Sequence, residues 1–459
     1  MDFLGKKIAV VGLGKTGMTL VSFFLKQGAV VRASDSRPLQ ELESLVSHFR
    51  GTGHPLILEG GGHSIPFFTE VDLVVVSPGI PLDLPALEAA MAKGIPLIGE
   101  IEIFAGLVRT PVVAVTGTNG KTTTTALLNE MLVNSGKKTY LGGNIGRPLM
   151  DYVLNQEDIE IVVAEISSFQ LDTTTNFFPQ VGLLLNITED HLDRYPDYAA
   201  YIQSKASLFR NKGESNQAVL NWDDPIVRTI GEKLPGPVYF FSRKRKFDQG
   251  AYLDQDQVIV SLETSREAYS LKGFRLPGIH NQENALAAIL GARLMGATPE
   301  AISQTLLTFQ GFGHRVQFIG EVQGVQFFDD SKATNVGAVI KALEGFTQPI
   351  LLIAGGRDKG GEYTPLKELI QTKVRGLILI GEARDKMQVQ LGHLTKTTLA
   401  GTLEEAVELA FQQAVAGDVI LLSPACSSFD MFRDYGHRGD VFQKAVQTLG
   451  VGLPGGLVS

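Results

Sequence analysis

Short apolar runs alternate with longer amphipathic segments along most of the chain. The first runs lie at residues 8–11, 30–33 and 73–76, and an amphipathic segment at 16–26 follows the first of them. Runs of this length rich in Val, Ile and Leu are typical of strands buried on both faces, and the segments between them are typical of crossover helices. The pattern therefore predicts an α/β fold built on parallel sheets. Further strands are predicted at 111–115, 161–164, 181–185, 325–328, 350–354, 377–380 and 419–422, and a further helix at 281–295.

The alternating pattern falls into three blocks. A chain of 459 residues is too long to fold around a single hydrophobic core, since a domain typically takes roughly 150 residues. We predict an N-terminal domain at 1–100, a central domain at 101–311 and a C-terminal domain at 312–459. The outer two are predicted to hold Rossmann-like sheets. The central one carries the glycine-rich motif TGTNGKT at 116–122, which ends as a P-loop does, so a P-loop-type ATP-binding sheet is predicted there.

Charge and composition narrow the classes of partner. The chain carries 41 Lys plus Arg and 49 Asp plus Glu, a net charge of −8, and its one basic run is at 243–246. A nucleic-acid partner is therefore not expected. No apolar stretch reaches the roughly 18 residues of a membrane span, and residues 1–7 lead into a strand pattern. The single cysteine, Cys426, fits a reducing compartment, so we expect a soluble cytoplasmic protein without a membrane partner.

A first glycine-rich loop follows the first predicted strand. The sequence GLGKTG occupies residues 12–17, and Asp35 ends the next predicted strand. In dinucleotide-binding folds such glycines let the backbone approach a pyrophosphate at a helix N-terminus, while the acid binds a ribose hydroxyl. Read alone, the loop favours a nicotinamide or flavin dehydrogenase, and a tight structural turn is the alternative. It identifies a diphosphate site without identifying the nucleotide.

A second glycine-rich loop gives the most specific signal. The sequence TGTNGKT at 116–122 follows a predicted strand and opens a helix. It ends in Gly-Lys-Thr, as a P-loop does, although Val115 stands where the strict pattern has glycine. In a P-loop the lysine reaches the β- and γ-phosphates and the hydroxyl binds Mg²⁺. The candidate ATP-binding residues are Gly117, Thr118, Asn119, Gly120, Lys121, Thr122 and Thr123.

Three further polar residues are candidates for metal binding. Glu165 and His191 each follow a predicted strand, where side chains face the ligand crevice of an open sheet. Glu165 could hold the Mg²⁺ of the P-loop or form a surface ion pair, and His191, beside Asp190, could be a metal ligand or structural. Lys205 lies in a helical segment, and the pattern alone predicts an exposed lysine.

Taken together, the motifs resemble those of the Mur ligases. They occur in the family's order from the first glycine loop to about Gly439. The motifs are TGTNGKT at 116–122, GGNIG at 142–146, DHLD at 190–193, HNxxN at 280–284 and DSKATN at 330–335. The stretches SSFQL at 167–171, DRYP at 193–196 and SPACSSFD at 423–430 are similar to those of members that add D-glutamate.

The resemblance implies an ATP-dependent amide-bond ligase that works with two Mg²⁺ ions. It would join D-glutamate to UDP-N-acetylmuramoyl-L-alanine through an acyl phosphate, a cytoplasmic step of peptidoglycan precursor synthesis, and would act as a monomer. Three alternatives stay open: a sibling Mur or folylpolyglutamate-type ligase with another acceptor, an NAD-dependent dehydrogenase, and an ATP-driven switch or scaffold.

The resemblance also implies roles for individual residues. The uridine diphosphate and sugar would contact Lys15, Thr16, Asp35, Ser36, Arg37, Gly79 and Asn144. Besides the P-loop, ATP would contact His280, Asn284, Arg315 and Asp330. The magnesium ligands would be Thr122, Glu165, His191 and a carbamylated Lys205. D-Glutamate and the intermediate would contact Lys332, Thr334, Lys359, Ser428, Phe429 and Tyr435, from a separate domain. The catalytic residues would be Lys121, His191, Lys205 and Lys332.

Overall fold

The computed structural model describes residues 2–49, 55–191, 194–276, 278–309, 311, 313–358, 360 and 362–451. Its strands form three sheets, each flanked by helices, which confirms the predicted fold class. The chain divides into two compact units, of which the first comprises Met1–Ser270 and Glu283–Ser303 and the second Leu271–Gln282 and Gln304–Ser459.

The first sheet belongs to the first unit and is wholly parallel, in the order β3-β2-β1-β4-β5. The strand order reverses beside β1, and open sheets of this kind bind ligands at that point, outside the carboxyl ends of the strands. The apolar runs predicted here as strands are confirmed. The strands are β1 (Lys7–Val11), β2 (Val30–Asp35), β3 (Leu56–Gly60), β4 (Leu73–Val76) and β5 (Leu97–Gly99).

The second sheet, also in the first unit, has nine strands in the order β14-β13-β12-β11-β10-β9-β6-β8-β7. Strands β6 to β12 pair in parallel, whereas β12, β13 and β14 pair antiparallel at one edge. The strands are β6 (Val112–Thr116), β7 (Thr139–Gly143), β8 (Ile161–Glu165), β9 (Val181–Leu184), β10 (Gln217–Asn221), β11 (Val238–Ser242), β12 (Gly250–Asp254), β13 (Gln257–Leu262) and β14 (Ser265–Ser270).

The third sheet lies in the second unit and has the order β15-β16-β20-β17-β18-β19. It is parallel except for β15, which pairs antiparallel with β16. The strands are β15 (Gln317–Val322), β16 (Val325–Asp329), β17 (Ile350–Gly355), β18 (Val374–Ile380), β19 (Lys396–Leu399) and β20 (Val419–Leu422).

Helices connect the parallel strands and cover the sheets. None of those in the described part of the chain is both long and apolar enough to cross a membrane. The helices are α1 (Lys15–Lys26), α2 (Leu39–Leu45), α3 (Ile65–Thr69), α4 (Pro85–Ala92), α5 (Glu100–Leu107), α6 (Lys121–Asn134), α7 (Leu149–Asn155), α8 (Ser168–Asp172), α9 (Tyr198–Ala206), α10 (Pro225–Gly231), α11 (Ile279–Leu294), α12 (Pro299–Thr308), α13 (Val336–Glu344), α14 (Lys367–Lys373), α15 (Arg384–Leu391), α16 (Leu403–Gln413) and α17 (Tyr435–Val451).

Burial explains why the central strands read as continuous apolar runs. Every residue of β6 and of β8 is buried, as expected for parallel strands covered by helices on both faces. Burying one Val, Leu or Ile side chain stabilises a fold by about 1.5–3 kcal/mol. The cores therefore fix the strand ends, and the loops that follow them, in place.

A buried carboxyl group at the start of α5 bonds the start of α7. Glu100 begins α5, is 1% exposed, and accepts a hydrogen bond from the Met150 backbone N–H at 2.9 Å. Its other oxygen has no hydrogen-bond partner among the described residues. Burial, reinforced by the nearby Asp151, raises the pKa of Glu100 to about 7, because a low dielectric disfavours the charged form.

We predict that Glu100→Gln stabilises the protein at pH 8 more than at pH 5. The folded state holds the Glu100 proton more tightly than the unfolded state, so the wild type loses stability as pH rises from about 4.5 to about 7. The gain at pH 8 should be on the order of 1–3 kcal/mol. Calorimetric unfolding of both proteins at the two pH values measures it, and an equal effect at both would contradict the prediction.

Candidate functional site

The central candidate site lies where three neighbouring strands of the second sheet end. In the register of the sheet, Val115 of β6 is paired with Glu165 of β8, and Thr116 is paired with Leu184 of β9. The P-loop after β6, Glu165 at the end of β8 and the loop after β9 are therefore side by side. The sequence predicted each of these strand ends, and the register brings them together.

Two glycines give the P-loop its path. Gly117 has φ +149°, and an added Cβ would lie 3.1 Å from Leu185 Cβ. Gly120 has φ +82°, and its Cβ would lie 2.2 Å from Asn284 Oδ1. Helix α6 begins at the next residue, Lys121. Because first-turn N–H groups have no acceptor within a helix and carry partial positive charge, the loop opens onto a ready anion site.

Asn186, to which sequence analysis assigned no role, bonds the P-loop at three points. Its Oδ1 accepts from the Asn119 backbone N–H at 2.8 Å, and its Nδ2 donates to the Asn119 carbonyl at 3.1 Å. Its own carbonyl accepts from the Thr118 N–H at 2.9 Å. Its position directly after the predicted strand at 181–185, beside the ligand crevice, is the sequence feature that could have predicted this role.

Two lysines converge on one backbone carbonyl of the P-loop. Lys121 Nζ and Lys205 Nζ each donate to the Gly117 carbonyl oxygen at 2.9 Å, and Lys121 also donates to the Thr118 carbonyl. Lys205 is 2% exposed, so the expectation of an exposed lysine is wrong. Burial, and secondarily the charge of Lys121, lower the pKa of Lys205 to about 7. A large share of its amine is therefore neutral at neutral pH.

Tyr201 is a second residue that sequence reasoning missed. Its hydroxyl lies 3.1 Å from Thr118 Oγ1, and Lys205 Nζ lies 4.6 Å from the centre of its ring. Both residues belong to α9, four positions apart, and such positions share a helix face. An aromatic residue one turn before a lysine was the signal that could have predicted the burial of that lysine.

Glu165 has the properties of a cation ligand. It is 1% exposed, and its Oε1 accepts from Asn144 Nδ2 at 2.6 Å. Its Oε2 is buried and has no partner among the described residues. A buried carboxylate oxygen left without a donor is costly, and a bound cation would satisfy it. Thr122, also buried, lies in the first turn of α6 after the adjacent strand.

His191 is placed at the rim of this site. Its side chain is 43% exposed, its Nε2 lies 3.7 Å from Asp190 Oδ2, and its ring centre lies 4.8 Å from that of Phe169. The described residues contain no group of three or more His, Cys, Asp and Glu side chains arranged to hold a metal. The next two residues of the DHLD motif, 192 and 193, are outside the described residues.

The HNxxN motif lies at the start of α11. Asn284 is buried and its Oδ1 accepts from Thr124 Oγ1 of α6 at 3.2 Å, so it sits behind the P-loop. His280 is exposed, and its Nε2 lies 3.2 Å from Asn281 Nδ2. Contacts of these residues with an ATP base or ribose remain predictions.

The first glycine loop lies at the carboxyl end of β1, where the order of the first sheet reverses. An added Cβ on Gly17 would lie 1.9 Å from the Gly12 carbonyl oxygen, so the closeness of turn and helix requires glycine. Ser77, directly after β4, donates its hydroxyl to the same carbonyl at 2.7 Å. The two loops at the switch point are therefore bound to each other.

Asp35 has a structural role in this loop. Its Oδ1 accepts from the backbone N–H and the Nε of Arg37, both at 3.0 Å. Its Oδ2 accepts from the Leu13 N–H at 2.7 Å and from Arg37 Nη2 at 2.9 Å. The hydrogen bonds from Arg37 hold the pKa of Asp35 well below its usual range. Each oxygen already accepts two hydrogen bonds, which leaves no lone pair for the ribose hydroxyl of a dehydrogenase cofactor.

The other residues predicted to bind the uridine diphosphate moiety surround the same loops. Lys15 and Ser36 are exposed and Thr16 is half-buried. Gly79 is exposed, and its carbonyl accepts from Arg194 Nη1 at 3.3 Å, while Ile80's carbonyl accepts from Nη2 at 3.1 Å. The loop after β4 is thus fastened to the segment that follows β9.

In the second unit, candidate residues follow β16 and β20, which are paired in parallel. Asp330 accepts from Ser423 Oγ at 2.7 Å, and burial raises its pKa to about 7. Lys332 Nζ lies 5.3 Å from the centre of the Tyr435 ring. Ser428 is buried. Of the others, Thr334 is half-buried, and Phe429, Tyr435 and Arg315 are exposed; Lys359 lies outside the described residues.

Comparison with known proteins identifies the family. The family model of the Mur ligase MurD-like N-terminal domain matches residues 6–99. The Mur ligase middle domain matches residues 115–292, and the Mur ligase glutamate ligase domain matches residues 314–426. The chain belongs to the Mur ligase family.

Curated relatives match this Mur ligase over nearly its whole length. It is 44% identical to the UDP-N-acetylmuramoylalanine--D-glutamate ligase of Geotalea daltonii, over 98% of this chain and 99% of that protein. It is 46% identical to the enzyme of the same name from Trichlorobacter lovleyi, over 98% and 100%.

Solved structures share the fold at lower identity. UDP-N-acetylmuramate-alanine ligase MurC from Thermotoga maritima is 20% identical with a TM-score of 0.56, covering 96% of this chain and 99% of that one. A UDP-N-acetylmuramoyl-L-alanyl-D-glutamate--2,6-diaminopimelate ligase is 19% identical with a TM-score of 0.58, covering 83% and 93%.

We predict that Gly120→Ala in this Mur ligase weakens ATP binding at least about tenfold, because a Cβ would be forced against Asn284 and the P-loop would shift. The matched control is Gly136→Ala, which has a similar φ of +79° but nothing within 4 Å of the added Cβ. Both carry a backbone penalty of roughly 1 kcal/mol. Calorimetric titration with ATP measures the difference, and equal affinities of the two variants would contradict it.

Proposed function

We propose that the chain ligates D-glutamate to UDP-N-acetylmuramoyl-L-alanine at the expense of ATP, as a step of peptidoglycan precursor synthesis. The observation that carries the proposal is the pair of lysine side chains that bond the Gly117 carbonyl of the P-loop, inside a chain that aligns end to end with D-glutamate-adding ligases. Among Mur and folylpolyglutamate-type ligases, this alignment favours D-glutamate over other acceptors.

The chemistry brings negatively charged groups together. The substrate carboxylate attacks the γ-phosphorus of ATP, so that ADP leaves and an acyl phosphate forms. The amine of D-glutamate then attacks the acyl carbon, forming the amide and releasing phosphate. Two unit negative charges 4 Å apart repel by about 4 kcal/mol at an effective dielectric of 20. Lys121 supplies a fixed positive charge that offsets this repulsion at the transferred phosphoryl group.

In this proposal two Mg²⁺ ions would be held by residues around the P-loop. Thr122 and Glu165 would hold one, since Glu165 Oε2 is buried without a donor among the described residues. His191 and a carbamylated Lys205 would hold the other. Oxygen ligands suit this hard cation, and when bound it neutralises charge on the phosphates. The chain's own contribution is to keep these side chains fixed around a rigid loop.

Lys205 is suited to carbamylation. Its neutral amine can attack carbon dioxide, forming an N–C bond and releasing a proton to solvent. The product is an anion beside Lys121, whereas the protonated amine is a buried second cation. The change therefore removes a like-charge repulsion and adds a carboxylate-type oxygen ligand.

The substrate and acceptor sites follow from the other two sheets. The loops bearing Lys15, Thr16, Asp35, Ser36, Arg37 and Gly79, with Asn144, would hold the uridine diphosphate and sugar. His280, Asn284, Arg315 and Asp330 would complete the ATP site. Lys332, Thr334, Lys359, Ser428, Phe429 and Tyr435 would hold D-glutamate and the intermediate. The enzyme would act as a monomer in the cytoplasm, where ATP and the nucleotide-linked substrate occur.

We predict ADP release that depends on D-glutamate. The assay offers ATP, Mg²⁺ and UDP-N-acetylmuramoyl-L-alanine with a panel of D- and L-amino acids. Dependence on another amino acid would identify a sibling ligase, and release without any acceptor would identify an ATP-driven switch. A change in nicotinamide fluorescence on mixing with NADH would favour the dehydrogenase. The structure argues against that alternative, because both carboxylate oxygens of Asp35 already accept two hydrogen bonds each.

We predict that wild-type enzyme incubated with ¹³C-bicarbonate shows a carbamate NMR signal that Lys205→Ala lacks. The variant should lose activity at least about 100-fold, and acetate should restore part of it by supplying the missing carboxylate oxygens. Lys212→Ala is the matched control, because Lys212 is also buried and bonded to a backbone carbonyl, that of Pro235. It should keep both the signal and the activity; a wild type without the signal would refute carbamylation.

A further inference from the structure

Arg438, in the first turn of α17, is a fully buried cation. Its side chain is 0% exposed, and burial lowers its pKa to about 10, so it stays protonated at neutral pH. Among the described residues it forms no ion pair with a carboxylate. The charges of Asp430, Asp329 and Asp330 act on it from beyond ion-pair distance, and its Nη1 has no hydrogen-bond partner among the described residues. A buried charge held in this way is expensive and depends on the hydrogen bonds that its other nitrogens make.

The acceptors of Arg438 lie on two loops at the carboxyl ends of the third sheet. Nε donates to Ser331 Oγ at 2.9 Å and Nη2 donates to the Ser331 carbonyl at 2.7 Å, in the loop after β16. Nη2 also donates to the Cys426 carbonyl at 3.1 Å, in the loop after β20. The planar guanidinium therefore fixes the spacing between these loops.

A third loop and the start of α17 are joined to the same centre. An added Cβ on Gly356, after β17, would lie 3.1 Å from Arg438 Nη1 and 2.4 Å from the Ser427 carbonyl. The Arg357 N–H donates to that Ser427 carbonyl at 2.9 Å. Ser331 Oγ donates in turn to the Tyr435 carbonyl at 2.8 Å.

We propose that Arg438 is a positioning residue of the acceptor site: by bonding Ser331 and Cys426 at once, it sets the distance between Lys332 and Ser428, and so the fit to the two carboxylates of the amino acid. This inference rests on the proposed function, because it assumes that these loops receive D-glutamate. Arg438 acts through the loops and is not placed against the substrate.

The test measures the Michaelis constant of each substrate separately. In Arg438→Lys, an ammonium group cannot reproduce the planar fork that spans both loops. We expect KM for D-glutamate to rise at least about tenfold, with KM for ATP and for UDP-N-acetylmuramoyl-L-alanine within about twofold of wild type. In Arg438→Ala, added guanidinium chloride at low millimolar concentration should lower KM for D-glutamate again.

Arg375→Met is the matched control. Arg375 belongs to the same unit and bonds Asp418 at 2.8 Å and the Gln413 carbonyl at 3.0 Å, at the amino end of β18. It should leave all three Michaelis constants unchanged. Should the Arg438 variants fail to fold, Ser331→Ala removes one bonded hydroxyl and should still raise KM for D-glutamate selectively.

Two results would overturn the proposal: an unchanged KM for D-glutamate in folded Arg438→Lys, or a uniform loss of activity matching the loss of folded protein. For Ser331→Ala, an unchanged KM for D-glutamate would do the same. The wild type is assayed first, so an enzyme that ignores D-glutamate would refute the proposed function and not the role of Arg438 alone.

Discussion

The central site is organised by two lysine side chains that meet at the carbonyl oxygen of Gly117. Two positive charges this close, one of them buried, are unfavourable, so the pKa of Lys205 is lowered to about 7 and an anion at this point would be stabilised. Burial by the surrounding core prevents Lys205 from escaping to solvent, and the paired strands β8, β6 and β9 keep the loop from relaxing. The stable sheet thereby holds the two amino groups in a position that favours binding of a polyphosphate, or carbamylation of Lys205 itself.

Two carboxylates, Asp35 and Glu165, differ in the number of hydrogen bonds that they accept, and this difference separates a structural carboxylate from one able to bind a ligand. Asp35 accepts four hydrogen bonds from Arg37 and the Leu13 backbone, so it holds the first loop and has little capacity left. Glu165 accepts one from Asn144, and its second oxygen has no partner among the described residues. Both end strands at the ligand edge of a sheet. Only Glu165 is left in a state that a cation would improve.

Much of the fold follows from local sequence, because parallel strands covered on both faces must be continuous apolar runs. The runs that became β1, β6, β8 and β20 are of this kind. The antiparallel strands β13 and β14 were not predicted: β14, Ser265–Ser270, alternates exposed positions with half-buried or buried ones at a sheet edge, and its formation depends on pairing with a neighbouring strand. Propensity carries little of that information.

The site was predictable to the extent that its residues sit in loops directly after predicted strands. The P-loop, Glu165 and Asp330 could be placed in this way. Lys205 and Tyr201 could not, because their burial depends on how α9 packs against the P-loop. Arg438 gave no signal at all, since a single arginine at a helix start is most often exposed, and its three acceptors lie far from it in the sequence.

The atoms that accept hydrogen bonds from the buried cations have an effect on the charge of the site. Lys205 and Arg438 bond to neutral carbonyl and hydroxyl oxygens, and within the described part of the chain neither forms an ion pair with a carboxylate. A carboxylate in the place of Ser331 would satisfy the guanidinium equally well but would repel a dicarboxylic amino acid. The chain as a whole has a net charge of −8, which does not favour anionic substrates at long range. Buried cations that bond to neutral oxygens act at short range, where screening by salt is weakest, and this arrangement suits an acidic protein whose proposed substrates are anionic.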